Sequence, residues 1–173
     1  MVREQLRLDQ DRDCEPLGKQ GLRGVLFKIT LTCYGYTVVA KGTVSVFIPD
    51  LLHEGHMYQL LENIQGKMIL VYLGNINLIK KYYLDWVEIE HMLLMSWAGE
   101  MADEANIANL NEEIKRSLQD MLREGVIHGD VRESNMLWNA EQQRVMLIDF
   151  KRSTPLSKVK NKVIEELSGQ KRK

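Results

Sequence analysis

The chain has 173 residues, a length that suits one domain or two small lobes around a cleft. Hydrophobic residues make up 45% of it, which is enough for a core, and a formal net charge of −1 provides no overall field to attract nucleic acid or an anionic membrane. The two cysteines are too few for a disulfide framework and favour a reduced intracellular compartment.

The N-terminal segment is charged and lacks the apolar core of a signal peptide. No apolar run approaches the ~20 residues that a membrane helix needs. We therefore expect a cytoplasmic or nuclear protein that is neither secreted nor membrane-spanning, and nothing in the composition points to a nucleic-acid partner.

Three glycines precede the first predicted strand: Gly18, Gly21 and Gly24. Glycines at such a place let backbone N–H groups approach a phosphate without a Cβ clash. A plain turn is the alternative explanation. The interpretation as a phosphate-binding loop is supported by Lys41, which lies seventeen positions after Gly24.

The first half of the chain predicts a small sheet with one helix. Four segments are predicted strands because they are apolar and rich in β-branched residues: 25–33, 37–46, 68–74 and 87–95. A turn at residues 34–36 should join the first two strands into a hairpin. Pro49 and Asp50 open a predicted helix that runs to about residue 63.

The second half has helical periodicity. Apolar residues recur at intervals of three and four and predict an amphipathic helix: Ile107, Leu110, Ile114, Leu118 and Met121. Gly125 is a suitable end for this helix. Two short strands are predicted on either side of residues 140–144, and a last helix is predicted from Pro155 to Leu167.

The most informative string is His-Gly-Asp-Val-Arg-Glu-Ser-Asn at residues 128–135, followed by an apolar segment that ends in Asp149. Asp130, Asn135 and Asp149 come from adjacent loop ends, so their side chains can converge. Phosphoryl transfer needs a carboxylate to orient the accepting hydroxyl, and an amide plus a carboxylate to hold Mg²⁺ on the nucleotide phosphates. Each residue alone could be a turn former, but the whole string favours phosphoryl transfer.

This spacing resembles the catalytic loop and the metal-binding strand end of the protein-kinase-like fold. His-Gly-Asp replaces the usual His-Arg-Asp, as it does in RIO kinases, in the kinase subunit of the KEOPS complex and in small kinase-like proteins of filamentous fungi. The resemblance covers residues 15–152. It implies an α+β fold with two lobes: a small antiparallel sheet lobe with a glycine loop and one helix, residues 1–98, and a truncated helical lobe, residues 99–173.

The resemblance implies a role for each matched residue of the loops. Asp130 would orient the acceptor hydroxyl, while Asn135 and Asp149 would hold Mg²⁺. The segment that includes Met95 and Trp97 would be the hinge between lobes, where adenine binds mainly through backbone groups.

The resemblance also assigns the sheet residues. The strand sequence Val-Ala-Lys, which ends at Lys41, resembles the kinase strand whose lysine neutralises the α- and β-phosphates of ATP. Glu54 on the following helix is the expected partner of this lysine, with Glu62 as the alternative. Gly21 and Gly24 would fill the last two glycine positions of the phosphate-binding loop. A solvated lysine or carboxylate is the competing explanation for each charged residue.

The sequence departs from the kinase pattern after Asp149. Lys151 stands where kinases have a glycine, no Ala-Pro-Glu segment follows, and 23 residues remain after Phe150. We therefore expect the acceptor to dock on other surfaces or on another subunit.

The predicted function is ATP- and Mg²⁺-dependent transfer of the γ-phosphoryl group to a protein hydroxyl, of Ser/Thr rather than Tyr type, with the protein substrate or docking partner unspecified. One alternative is a small-molecule kinase of the aminoglycoside or choline-kinase type, in which His-Gly-Asp also occurs but with larger helical insertions after the hinge. The other is a nucleotide-binding pseudokinase or scaffold.

Overall fold

The computed structural model describes residues 2–8, 13–21, 24–32, 34–97, 102, 107 and 109–160. The chain divides into two compact units, one comprising Met1–Gly55 and Leu70–Ala98 and the other His56–Ile69 and Gly99–Lys173. The predicted division at residue 98 differs from this one in the placement of residues 56–69.

The first unit contains a five-stranded antiparallel sheet. Its strands are β1 (Cys14–Gly21), β2 (Gly24–Leu31), β3 (Tyr36–Thr43), β4 (Tyr72–Leu84) and β5 (Val87–Ser96), in the order β1-β2-β3-β5-β4. Helix α1 (Val2–Leu8) precedes the sheet. Helix α2 (Ile48–Leu60) follows β3 after a short 3-10 helix at Ser45–Phe47.

The core of this sheet follows from the alternation of side chains along its strands. Every second residue of β2 is buried, because successive side chains in a strand point to opposite faces. Phe27 is fully buried, and its ring meets that of Tyr82 edge to face at a centroid distance of 5.1 Å. Leu6 of α1 belongs to the same cluster, and Gln5 Nε2 donates a hydrogen bond of 2.8 Å to Thr30 O. These contacts hold α1 against the sheet.

Two predicted strands differ from the observed ones by three residues or more at one end or both. The strand predicted at 37–46 ends at Thr43, since the chain then turns into a 3-10 helix. The strand predicted at 68–74 is wrong over its first half, because β4 begins at Tyr72 and continues to Leu84. β4 lies at the edge of the sheet and is mostly exposed or half-buried, so its sequence needs no continuous apolar pattern.

Strand β1 was not predicted at all. It contains Pro16, which cannot donate to a ladder, and Gly18, whose φ is +66°. Both residues are depleted in strands but are tolerated at an edge, which is where β1 lies. The pairing with β2 is irregular between Pro16 and Gln20 and is regular again from Gln20, which faces Val25.

The second unit combines one long helix with short strand pairs. Its elements are α3 (Leu110–Arg123), β6 (Val126–Ile127), β7 (Met136–Asn139), β8 (Arg144–Leu147) and β9 (Thr154–Pro155), with β6 paired to β9 and β7 to β8. Ser117 Oγ donates a hydrogen bond of 2.6 Å to Val145 O, which ties α3 to β8. Gly125, with a φ of +82°, follows the end of the helix as predicted.

The helix predicted to begin at Pro155 begins one residue later. Pro155 lies in β9 opposite Val126, and the N–H of the next residue, Leu156, donates a hydrogen bond of 2.7 Å to Gly125 O. Residues 156–160 are helical. The rest of the predicted helix, residues 161–167, lies outside the described residues.

The helices of the described chain are short. α2 has 13 residues and α3 has 14, whereas a bilayer span needs about 20. Within the described residues, no helix combines the length and the apolar character that crossing a membrane requires.

Phe27→Ala tests the placement of the sheet core. The substitution should lower the free energy of unfolding by about 3–5 kcal/mol, because it removes a fully buried ring and leaves a cavity. Tyr36→Ala is the matched control, since this strand aromatic is 68% exposed and should change stability by less than about 0.5 kcal/mol. Urea unfolding followed by circular dichroism measures both, and equal losses would contradict the assigned core.

Candidate active site

Lys41 of β3 and Glu54 of α2 form an ion pair in the first unit. Lys41 Nζ lies 2.7 Å from Glu54 Oε2, and the two side chains are 17% and 1% exposed. A carboxylate can be buried this deeply only with a charged or hydrogen-bonding partner, which Lys41 supplies. Glu62, the alternative partner, is exposed in the 3-10 helix Glu62–Ile64. The structure therefore brings Lys41 together with the first of the two expected carboxylates.

The predicted loop glycines lie at the β1–β2 hairpin, next to the strand that carries Lys41. A Cβ on Gly24 would stand 2.9 Å from Gly42 O and 3.8 Å from Lys41 Cγ, so only glycine fits this approach. Gly21 faces Gly24 across the hairpin. Residues 22–23 between them lie outside the described residues. A role for these glycines in phosphate binding stays a prediction.

The two predicted adenine-binding residues lie at the end of β5. Met95 is buried between the neighbouring strands, where it faces Val39 of β3 and Tyr72 of β4. Trp97 is half-exposed, and Lys28 Nζ lies 5.4 Å from the centroid of its ring, within cation–π range. The Met95 side chain thus packs within the sheet lobe. Adenine binding by the backbone of this segment stays a prediction.

His128 organises the catalytic-type loop of the second unit. The side chain is buried, Nδ1 accepts a hydrogen bond of 3.3 Å from the Asp130 N–H, and Nε2 lies 3.2 Å from Ile148 O. Because Nδ1 is an acceptor, the proton of the neutral ring is on Nε2 and is donated to Ile148 O. The imidazole therefore links the start of the loop to the residue that precedes Asp149.

Asn135 lies between the two acidic residues. Its Nδ2 donates a hydrogen bond of 3.0 Å to Asp130 O, which closes the loop on itself. Its backbone oxygen accepts a bond of 3.0 Å from the Ile148 N–H, which brings the chain just before Asp149 alongside. The two bonds use the amide nitrogen and the backbone oxygen, not the amide oxygen that a metal ion would bind.

Asp149 has a left-handed backbone, with φ +67° and ψ +70°. This conformation is uncommon for residues other than glycine, and such outliers occur often at functional sites, where the surroundings hold them. The next residue, Phe150, is fully buried and meets the rings of Tyr58 and His128 edge to face at centroid distances of 4.7 and 5.3 Å. Packing of Phe150 thus holds the segment in which Asp149 lies.

Two backbone segments of the site touch at Gly129. This residue has a φ of +78°, and a Cβ on it would overlap the carbonyl oxygen of Arg152. Beside it, Ser153 Oγ donates a hydrogen bond of 2.8 Å to His128 O. The glycine of His-Gly-Asp is therefore required by the close approach of the chain after Asp149. A glycine at this position indicates that another part of the chain lies close to it, but the sequence alone does not identify that part.

Basic side chains surround both carboxylates. Arg132 Nη2 lies 2.8 Å from Asp130 Oδ2, and Arg152 Nη1 lies 3.8 Å from Asp130 Oδ1. Lys151 Nζ lies 2.8 Å from Asp149 Oδ2. The residue that replaces the usual glycine is therefore an ion-pair partner of Asp149, a role that was not predicted.

The donor set fits a magnesium ion that is shared with a nucleotide. Within the part of the chain that the structure describes, no group of three or more His, Cys, Asp or Glu side chains could hold a metal ion alone. Mg²⁺ in phosphotransferases, however, keeps several waters and phosphate oxygens and uses only one or two protein carboxylates. The amide of Asn135 and the carboxylate of Asp149 are suited to that kind of site.

Comparison with known proteins agrees with this geometry. The model of the phosphotransferase enzyme family matches residues 82–155, which contain the His-Gly-Asp loop, Asn135 and Asp149. The matched part of the chain is thus similar to a family of the protein-kinase-like superfamily. The predicted resemblance to this superfamily and the predicted α+β kinase-like fold are confirmed.

A fungal relative extends the similarity to the whole chain. The meiotic driver SPOK2 of Podospora anserina is 41% identical over 177 aligned residues, and the alignment includes 100% of this chain. The chain spans 23% of the length of that protein. The kinase-like chain therefore corresponds to one part of a much longer relative.

Gly129→Ala tests the backbone contact in the loop. Gly35→Ala is the matched control, since Gly35 also has a positive φ of +66°, yet no neighbouring atom lies within 4 Å of the place where its Cβ would stand. Both substitutions carry the cost of a left-handed backbone, roughly 1–2 kcal/mol, and Gly129→Ala should cost about 1–3 kcal/mol more because of the overlap. Urea unfolding of both variants measures this difference, and equal costs would show that the loop has room for a side chain.

The stability of the protein should fall on acidification because of His128. Burial lowers the pKa of this imidazole, so the unfolded chain takes up the proton at a higher pH than the folded chain. Folding is therefore unaffected above the ordinary imidazole pKa of about 6.5 and loses stability as the pH falls from there towards the folded pKa. A proton on Nδ1 would also break the bond from the Asp130 N–H.

His128→Asn provides the comparison, since its amide oxygen can accept the same bond but does not titrate. Urea unfolding at about pH 7.5 and about pH 5.5 should show a smaller acid-dependent loss in this variant than in the wild type. A residual loss is expected in both because burial also lowers the pKa of His91. Identical pH dependence in the two proteins would contradict the role of His128.

Proposed function

We propose that the chain is an ATP-dependent phosphotransferase that transfers the γ-phosphoryl group to a Ser or Thr hydroxyl of a protein. The observation that carries this proposal is the position of Asn135, which bonds through its side chain to Asp130 O and through its backbone to the Ile148 N–H. These bonds draw together the three residues whose order resembles a kinase site. The match to a phosphotransferase family supports the same type of reaction.

In the proposed reaction, the acceptor oxygen forms a bond to the γ-phosphorus while the bond from that phosphorus to the bridging oxygen breaks. ADP leaves with the electron pair, and the hydroxyl proton passes to the Asp130 carboxylate, which orients the hydroxyl. Asn135 and Asp149 would hold Mg²⁺, which supplies charge neutralisation at the phosphate oxygens. Lys151 would leave Asp149 when that ion binds.

The first unit carries the other residues that the proposed function assigns to the nucleotide. Lys41, kept in place by Glu54, would neutralise the α- and β-phosphates with its ammonium group. The hairpin glycines Gly21 and Gly24 would offer backbone N–H groups to the phosphates. The backbone of the segment from Met95 to Trp97 would bind adenine.

A small-molecule kinase is the second candidate. The family match is compatible with it, because the name of the matching family specifies phosphotransferases and no type of acceptor. Residues 97–109 are all that separate β5 from α3, however, which leaves little chain for the helical insertion that shapes a small-molecule pocket in such enzymes. A protein acceptor therefore has the better support.

Meiotic drive is a property of the longer relative, and what we propose for this chain is the chemistry of its kinase-like part. We further propose a cytoplasmic or nuclear location, because two cysteines in the sequence are too few for the disulfide framework of a small secreted domain.

The direct test is phosphoryl transfer by the pure protein. Incubation with Mg²⁺ and ATP labelled at the γ-phosphate, followed by mass spectrometry, should detect phosphate on the chain itself or on an added protein. Asp130→Asn should lower the rate at which this phosphate appears by about 10²–10⁴-fold, and Arg123→Gln on the exposed side of α3 is the control that should not. Nucleotide binding without transfer in all conditions would favour the pseudokinase alternative.

Alanine variants of the two acidic residues should separate binding from chemistry. Asp149→Ala should weaken binding of ATP in the presence of Mg²⁺, because Asp149 is the proposed metal ligand. Asp130→Ala should leave that affinity nearly unchanged and lower the transfer rate about 10²–10⁴-fold. Calorimetric titration with ATP, with and without Mg²⁺, measures the first effect. Equal nucleotide affinity in both variants would contradict the two assignments.

A further inference from the structure

Arg152 is held next to Asp130 by the fold. Its carbonyl oxygen packs against Gly129 so closely that no Cβ would fit there, and the adjacent Ser153 is buried and bonds to His128 O at 2.8 Å. The backbone of Arg152 is thus anchored to the loop that carries Asp130. Its side chain is 66% exposed and can move while the anchor stays in place.

The Asp130 carboxylate has a guanidinium at each oxygen. Arg132 contacts Oδ2 at 2.8 Å, a hydrogen-bond distance, whereas Arg152 contacts Oδ1 at 3.8 Å, which is an ion pair without a short hydrogen bond. The Asp130 side chain is only 11% exposed. An incoming hydroxyl can therefore reach Oδ1 most easily, by displacing the guanidinium of Arg152.

When the acceptor hydroxyl displaces Arg152 from Asp130, the guanidinium of Arg152 loses its ion-pair partner and lies next to the acceptor. Arginine presents a planar fork of N–H donors that matches a carboxylate or a phosphate. An acceptor that carries such an anion next to its hydroxyl would replace the lost ion pair. A neutral acceptor would not replace it, and a cationic acceptor would add repulsion from both guanidinium groups.

We infer that Arg152 selects protein acceptors in which the phosphorylated Ser or Thr is flanked by acidic or phosphorylated residues. This inference rests on the proposed function, in which Asp130 orients the acceptor hydroxyl. It also separates the two candidate activities, because aminoglycosides and choline are cations and are disfavoured beside Arg132 and Arg152.

The experiment uses three peptides with one central serine that differ only in the flanking residues, which are Glu, Gln or Lys. With Mg²⁺ and ATP, kcat/KM should be about fivefold higher for the Glu peptide than for the Gln peptide, and lowest for the Lys peptide. Arg152→Gln should remove the preference, and Arg152→Glu should reverse it. Arg123→Glu is the matched control, since Arg123 is also an exposed arginine paired with an aspartate, Asp120 at 2.7 Å, and it should keep the wild-type order.

Binding of the same peptides is measured in parallel by fluorescence anisotropy in the presence of Mg²⁺ and ADP, and it should follow the same order. Equal kcat/KM and equal affinity for the three peptides, no binding of any of them, or a preference unchanged in Arg152→Glu would each overturn the inference. Phosphate found on the chain itself would still uphold the proposed function in those cases. Loss of all transfer and all nucleotide binding by the wild type would instead refute the proposed function.

Discussion

The geometry of the second unit depends on the contact between two stretches of backbone, one at Gly129 and the other at Arg152. Two features of this contact favour glycine at position 129: a Cβ there would overlap the carbonyl oxygen of Arg152, and the backbone has a positive φ of +78°. The contact is reinforced by the hydrogen bonds of His128 to Ile148 O and of Ser153 to His128 O. Because the two stretches carry Asp130 and Asp149, one steric condition determines how near these acids can come to each other.

The first unit depends on a different interaction, the buried ion pair between Lys41 and Glu54. Moving two charges out of water costs several kcal/mol per ion, roughly as much as their attraction returns, so such a pair adds little net stability. Its consequence is positional. A lysine on an open strand would sample many rotamers, whereas Lys41 is held 2.7 Å from a carboxylate that α2 keeps fixed. The pair thus holds the ammonium group of Lys41 in one position, as binding of a polyphosphate would require.

The sequence was sufficient to predict a structural feature where that feature depends on a pattern of neighbouring residues. Lys41 and Glu54 could be paired because the strand that ends at Lys41 and the start of the next helix each resemble a short kinase motif of neighbouring residues. It was insufficient where a feature depends on a contact with a residue far away along the chain. The partner of Gly129 is a carbonyl 23 positions later, at Arg152, and backbone contacts leave no residue signature. For the same reason Pro155 was placed in a helix, although it pairs with Val126 in a strand.

The hydrogen-bonded imidazole of His128 has a spectroscopic consequence. Its Nε2 proton is held against Ile148 O in a buried position, so we expect it to exchange more slowly with water than the ring N–H of an exposed histidine such as His56 and to give a separate resonance. One-dimensional proton spectra can therefore follow the integrity of this loop directly. Loss of this resonance would report opening of the loop that His128 holds, without any assay of activity.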